Sequence, residues 1–354
     1  MTHAVLLLPR WLVPVRPRLQ VLEQMAVVIE GERITAVLPR ADAFARYAQA
    51  DRIELARHVL LPGFINMHTH SAMSLLRGYA DDLDLQVWLN DHIWPIEKAL
   101  LAPGFVHDGS RLAIAEMLRG GTTFFNDNYF FPEVTALAAV DAGMRACIGL
   151  PVIDVPTVWA ANANECIDKG LNVSSNWQGE ALITTSFAPH APYSVDDEAF
   201  ARIVELSTAG DMRVHMHVLE SEWEIGESLR QHGKATLDRL NDLGLLNERL
   251  LAVHMTQLGA SDIALVSETS VNVTHCSESN LKLGNGICPL ARLLDHKVNV
   301  ALGTDGAASN NNLDLLAESR TAALLAKGVS SDPCVVKAFE ALEMLTINAA
   351  VALG

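Results

Sequence analysis

Beyond Leu61 the chain alternates short apolar runs with longer amphipathic stretches, and this alternation predicts most of its fold. The apolar runs span 64–68, 122–126, 146–152, 182–187, 213–218, 250–254, 271–275 and 298–303. Stretches of helical period lie between them, at 108–119, 196–209, 225–243 and 313–326. Eight strands interleaved with helices predict an α/β fold, a (β/α)8 TIM-like barrel. An open doubly wound sheet is the alternative, but no Gly-x-Gly-x-x-Gly turn follows the first strand. Upstream the texture is different. Residues 26–37 form two β-branched runs joined at Glu30-Gly31, a hairpin signal. The expected organisation is a small β-rich domain over 1–60 and a barrel over 61–354. The connection from Ser71 to Val106 is unusually long, holds Trp88 and Trp94, and falls where a barrel shapes its active site.

Composition narrows the class. The 354 residues are 50% hydrophobic and 19% charged, ordinary for a globular enzyme. A formal charge of −16 argues against nucleic acid and anionic membranes as partners, though not against an uncharged nucleoside. The five cysteines are scattered without Cys-x-x-Cys spacing and read as reduced thiols. The run Val5 to Leu8 is cut by Pro9 and Arg10, too short for a signal peptide, and no stretch approaches a membrane span. A cytoplasmic protein is expected, with a homo-oligomer allowed for.

The chemistry begins at Met67-His68-Thr69-His70, which closes the first barrel run. Histidines at i and i+2 of a strand share one face, so both imidazoles can reach one ion. In a barrel, reactive groups stand at the C-terminal strand ends, and six of the eight runs end in such a residue. They are His68 and His70, His190, His217 with Glu220, His254, His275 and Asp305. His68, His70, His217 and Asp305 are assigned as ligands of one divalent ion. Three imidazoles and a carboxylate suit Zn²⁺, and Fe²⁺ or another divalent ion also fits. No lysine near the fourth run could bridge a second ion. Glu220, three residues past His217, is assigned as a proton shuttle and His254 as a hydrogen-bonding group at the reacting centre. Asp305 is both ligand and proton acceptor. His275 reads as a core histidine, and Asp127, Asp154 and Cys276 as structural.

These blocks, in order and spacing, resemble the metal-dependent amidohydrolase superfamily. The matching segments are 62–70, 77–78, 88–89, 94–97, 186–194, 215–221, 253–255, 279–283 and 303–306. Within that superfamily the chain looks most like the 5-methylthioadenosine/S-adenosylhomocysteine deaminase branch. The resemblance implies that Glu97 binds the ribose hydroxyls and that His190 contacts the nucleoside, with Glu220 and Asp305 also facing the substrate. It implies hydrolytic deamination of 5-methylthioadenosine by a metal-bound hydroxide, with adenosine and S-adenosylhomocysteine as further candidates. Residues 150–164 contain no Arg or Lys to grip an amino-acid carboxylate, so the uncharged 5-methylthioadenosine is preferred. Met73, Leu76 and Trp88 are the expected contacts of its methylthio end. The family pattern continues past Thr346-Ile347-Asn348-Ala349-Ala350 into strands that complete the β domain, so that part is expected to be missing here. A guanine, pyrimidine or triazine deaminase or chlorohydrolase is the second reading, and a metal-free binding scaffold the third.

Overall fold

β-branched and aromatic runs bounded by Gly and Pro fold as strands because they pack well on a pleated, buried surface. The structure, a computed structural model, describes residues 3–354. Two compact units result, Met1–Gly63 and Phe64–Gly354.

In the first unit, β1 (Ala4–Leu12), β2 (Leu22–Glu23), β3 (Met25–Glu30), β4 (Arg33–Pro39) and β5 (Asp51–Leu60) form one sheet. β1 pairs antiparallel with β2 and β3, and parallel with β5. The expected hairpin is present as β3–β4, with Val27 opposite Val37 and Gly31 at φ +62 in the turn. Leu6, Leu8, Ala26, Val28 and Ala43 are its core.

The second unit carries eight parallel strands: β6 (Phe64–Thr69), β7 (Thr122–Asn128), β8 (Arg145–Val152), β9 (Ile183–Pro189), β10 (Val214–Val218), β11 (Leu250–His254), β12 (Asn272–His275) and β13 (Val300–Leu302). They follow chain order around the sheet, and all eight lie on the expected runs to within about two residues at each end. The cylinder closes between β13 and β6 through a small polar clasp. Asn66 Nδ2 donates to Thr304 Oγ1 at 2.8 Å, Thr304 N donates to Asn66 Oδ1 at 3.0 Å, and Asp305 N donates to His68 O at 2.9 Å.

Two expectations need correction. The stretch 225–243 is two helices, Glu222–His232 and Thr236–Asp242, not one. Gly233 at φ +66 ends the first as a left-handed cap, which a helical period alone does not reveal. The connection 71–106 is largely helical: a 3₁₀ segment Ser71–Leu76, a π-helical segment Trp88–Ile93, and the helices Trp94–Leu100 and Pro103–Arg119. Of its tryptophans, Trp88 is buried and Trp94 is exposed. All five cysteines are free thiols, and no helix among the described residues is long and apolar enough to cross a membrane.

The clasp depends on the absence of a side chain at Gly303. A Cβ there would lie 2.7 Å from both Cβ and N of His68, and 3.0 Å from Thr274 Cγ2. Those neighbours are backbone and buried core and cannot swing aside. Gly303→Ala should therefore destabilise the barrel by about 1–3 kcal/mol. It should also weaken retention of a divalent ion, because the atoms displaced belong to His68. Chemical denaturation with metal analysis checks both effects, and an unchanged denaturation midpoint would contradict the closure argument.

Candidate metal centre and adjoining pocket

Period-two alternation on β6 turns His68 and His70 into the barrel together, as the i, i+2 spacing requires. His68 is fully buried, and the His70 side chain is 17% exposed. His70 Nδ1 donates to Asn128 O at the end of β7, at 2.5 Å. On β10, His217 Nδ1 donates to His190 O, also at 2.5 Å. A carbonyl can only accept, so both rings carry their proton on Nδ1 and direct an Nε2 lone pair inward. Those two Nε2 atoms face each other at 3.3 Å. Two lone pairs at that distance repel unless a cation lies between them.

Asp305, just after β13, completes the cluster. Its Oδ1 lies 3.2 Å from His68 Nε2 and 3.3 Å from His70 Nε2. His68 Nε2 has no hydrogen-bond partner although fully buried. The nearest ligand atoms of His68, His70 and Asp305 lie within 4.8 Å of one another, as do those of His68, His217 and His254. All four residues assigned as ligands thus converge, and the imidazole-rich donor set fits a divalent cation. Asp305 adopts φ +63, a left-handed conformation that a non-glycine residue enters at a cost. Its Oδ2 accepts from Ser279 Oγ at 2.6 Å. Burial pushes its carboxyl up, but the adjacent His68, His70 and His254 imidazoles outweigh burial and hold it well below the usual range.

Burial works on the imidazoles in the opposite sense. It lowers His68 and His190 to about 4 and His217 well below its ordinary value, so these rings are neutral at pH 7 and their free nitrogens are bases.

Glu220 stands beside the cluster. Asn285 Nδ2 donates to its Oε1 at 2.9 Å, and burial raises its carboxyl above the ordinary value. Its backbone is fixed as well: the N–H groups of Leu219 and Glu220 donate to Glu224 at 3.0 and 3.2 Å. His254 Nε2 lies 3.6 Å from Glu220 Oε1, while its Nδ1 donates to Asn280 Oδ1 at 2.8 Å. His254 too is left-handed, at φ +74. Strained backbone thus recurs at Leu219, His254 and Asp305, all on strand ends around one point.

A cavity of about 810 Å³, including its open mouth, extends from these groups. His70, His217, Glu220, His254 and Asp305 line it, as do Glu97 and His190. Met73 and Trp88 line it as expected, together with Leu85, Ile93, Phe130 and Ile153. Leu76 does not. It is buried within the apolar cluster of Ala72, Leu85 and Trp88, behind the wall. No Lys or Arg belongs to the lining, and Arg145 sits exposed at the opposite, N-terminal end of β8. Asp127 accepts from Thr69 Oγ1 and Ser71 N and holds the chain after β6. Asp154 is exposed, Cys276 and His275 are buried, and none of the three lines the cavity.

Several participants escaped the sequence reading. His215 is fully buried, with Nε2 at 2.8 Å from His68 Nδ1. Its signal was present: it is two residues before His217, the same spacing that singles out His68 and His70. Ser279 and Asn280 lie in the matching segment 279–283 but were given no role there, and Tyr129 and Asn285 gave no comparable signal, because their partners lie far away in the chain.

Residues 59–354 match the amidohydrolase family. A 5-methylthioadenosine/S-adenosylhomocysteine deaminase of Saccharophagus degradans is 47% identical over 345 residues, which is 98% of this chain and 77% of the relative. A 5′-deoxyadenosine deaminase of Methanococcoides burtonii is 40% identical over 331 residues, 92% of this chain and 74% of the relative. Among solved structures, an adenosine deaminase from Xanthomonas campestris with bound zinc superposes with a TM-score of 0.97. It is 48% identical, with 99% of this chain and 80% of that one covered.

A lone pair on His68 Nε2 places the ring proton on Nδ1, where His215 Nε2 accepts it. Hydrogen-bonded partners of this kind orient ligand histidines and typically change metal affinity by about 10–100-fold. His215→Phe should weaken divalent-ion binding by about that factor while the circular dichroism spectrum is retained. Competition with a chromophoric chelator measures it; affinity equal to that of the unmodified protein would show that His215 only fills space.

Proposed function

The chain belongs to the amidohydrolase family, and from that premise we propose that it deaminates 5-methylthioadenosine hydrolytically, with Zn²⁺ as its ion. At the coarser level it is a metal-dependent aminohydrolase acting on adenosine-type substrates. The observation carrying this reading is the pair of inward Nε2 atoms 3.3 Å apart, with Asp305 and Glu220 on the same cavity as Glu97.

His68, His70, His217 and Asp305 hold the ion in this reading, and the ion supplies the Lewis acidity that makes water a nucleophile at neutral pH. The chain's own groups do the rest. Purine C6 is a poor electrophile until N1 is protonated, so an acid must stand ready. Glu220, raised by burial, keeps a proton at neutral pH more readily than an exposed carboxyl. Asn285 donates to its Oε1, which leaves Oε2 to carry that proton to N1. Asp305 Oδ1 accepts a proton from the attacking water, and His254 Nε2 faces the oxygen that adds at C6. A C–O bond forms at C6, Asp305 passes the proton it took from water to the exocyclic nitrogen, the C–N bond breaks, and the C6 hydroxyl returns its proton to Glu220 as the carbonyl forms. Ammonia leaves and the hypoxanthine-type product remains. Glu97 accepts from the ribose hydroxyls and His190 meets the nucleoside.

The apolar part of the lining sets the preference. Met73, Trp88, Leu85 and Ile93 offer apolar contact to a methylthio group and no cation to an amino-acid carboxylate. A carboxylate brought there would lose its hydration without a partner.

Loss of adenine absorbance should follow addition of enzyme to 5-methylthioadenosine and, more weakly, adenosine. S-adenosylhomocysteine should lag by about tenfold or more in kcat/KM, about the worth of one unpaired polar group. Guanine, read at its own wavelength, should be inert. Equal rates on the methylthio and carboxylate-bearing nucleosides would refute the preference, and turnover of guanine alone would refute the substrate class.

Glu220→Gln should keep its metal yet lose turnover by about 10²–10⁴-fold, the span of general acid–base catalysis. His217→Ala should lose both. Paired metal analysis and kcat measurement separate these cases, and near-normal turnover in Glu220→Gln would remove the proton shuttle from the mechanism.

A further inference from the structure

Glu97 differs from the other carboxylates of the cavity in standing on a helix, Trp94–Leu100, instead of a strand end. Its neighbours on the wall include Trp88, Leu89, Ile93 and Trp94, a poor environment for an anion. Burial accordingly pushes its carboxyl up. A neutral carboxyl would donate as readily as accept, and would lose its preference for hydroxyl donors. A hydrogen bond opposes this first and the His70 imidazole second. The Tyr129 phenol donates to Glu97 Oε1 at 2.5 Å. Tyr129 is itself buried, and burial keeps its proton in place, so it remains a donor.

Its position in the chain adds a second constraint. Tyr129 directly follows Asn128, whose carbonyl accepts from His70 Nδ1. The two rings, Tyr129 and His70, lie 6.2 Å apart between centroids. Adjacent residues at the end of β7 therefore hold a ligand of the reactive centre and the carboxylate of the sugar subsite. One lone pair of Oε1 is taken by the phenol, and Oε2 is left whole for the substrate.

We infer that Tyr129 is a specificity-positioning residue: it keeps Glu97 an acceptor aimed at the vicinal hydroxyls of the ribose, at a spacing from His70 set through Asn128. The inference rests on the adenosine-type reading above and deepens it. Selection for a ribonucleoside over its deoxy analogues then depends on a residue that acts through Glu97.

The test compares adenosine, 2′-deoxyadenosine and 3′-deoxyadenosine with the metal-loaded enzyme and its Tyr129→Phe, Glu97→Gln and doubly substituted forms. The unmodified enzyme should favour adenosine by about 10- to 100-fold in kcat/KM, the worth of a hydrogen bond to a charged group. Tyr129→Phe should contract that preference by about tenfold, through KM for adenosine, while the deoxy analogues lose far less. Glu97→Gln should abolish the preference, and adding Tyr129→Phe to it should change nothing further. Equal proportional losses on all three substrates would reduce Tyr129 to a structural role and overturn the inference. An intact preference in Tyr129→Phe, or none in the unmodified enzyme, would overturn it too. If the unmodified enzyme deaminates none of the three, nor 5-methylthioadenosine, the underlying functional reading fails and takes this inference with it.

Discussion

Closure of the barrel between β13 and β6 is the constraint on which the site depends. Backbone pairing of neighbouring strands carries seven of the eight junctions, but the last junction is made by Asn66, Thr304 and the Asp305 amide. Gly303 lets the two chains approach to a distance at which any side chain would strike His68. The close approach is what brings a carboxylate to the two histidines of β6. Asp305 reaches them by turning left-handed, and the strain is held by its hydrogen bonds to Gly306 N and Ser279 Oγ. A looser closure would relieve the backbone and separate the donors.

Once the donors are assembled, electrostatics determines what they can bind. The cluster packs several imidazoles at van der Waals distance, and burial removes the charge of His68 and His217 before any ligand arrives. Neutral rings still have to choose a tautomer. Here the choice is made outside the cluster, by the carbonyls of Asn128 and His190, which leave Nε2 of His70 and His217 as bases. Bases pointing at one another raise the free energy of the empty arrangement and lower that of a cation-bound one. The neighbouring carboxylates differ for the same reason. Asp305, beside His68, His70 and His254, has its carboxyl held low, whereas burial raises that of Glu220. Two carboxylates of similar intrinsic acidity thus take opposite roles.

Much of this was legible in the sequence, for a physical reason. Strand alternation and position at a strand end are local properties, and they sufficed for the eight barrel strands and for the convergence of His68, His70, His217 and Asp305. What escaped was non-local or conformational. The break at Gly233 needed a left-handed φ, not a change of hydrophobic period. The segment 71–106 folded into short 3₁₀, π and α turns because its apolar residues had a wall to cover, which no period reveals. Leu76 looked equivalent to Met73 and lies behind it. Asn285, 65 positions from its partner Glu220, carries no mark in the chain at all. His215 is the exception, since the rule that found His68 also applied to it.

The two halves of the site are built from different materials, and this bears on how its chemistry and its selectivity are separated. The metal-facing groups stand on β6, β10, β11 and the turn after β13, where sheet hydrogen bonds and close packing leave little freedom. The substrate wall comes chiefly from the helical segment between β6 and β7, joined to the cylinder by side-chain packing instead of a ladder. A change there can reshape the wall without moving a ligand atom. The reverse does not hold, because displacing a strand end shifts donors that must meet within a few tenths of an ångström. In the proposed reading, reaction type therefore resides in the sheet and substrate choice in the excursion. The junction between them is the end of β7, where Asn128 faces one and Tyr129 the other.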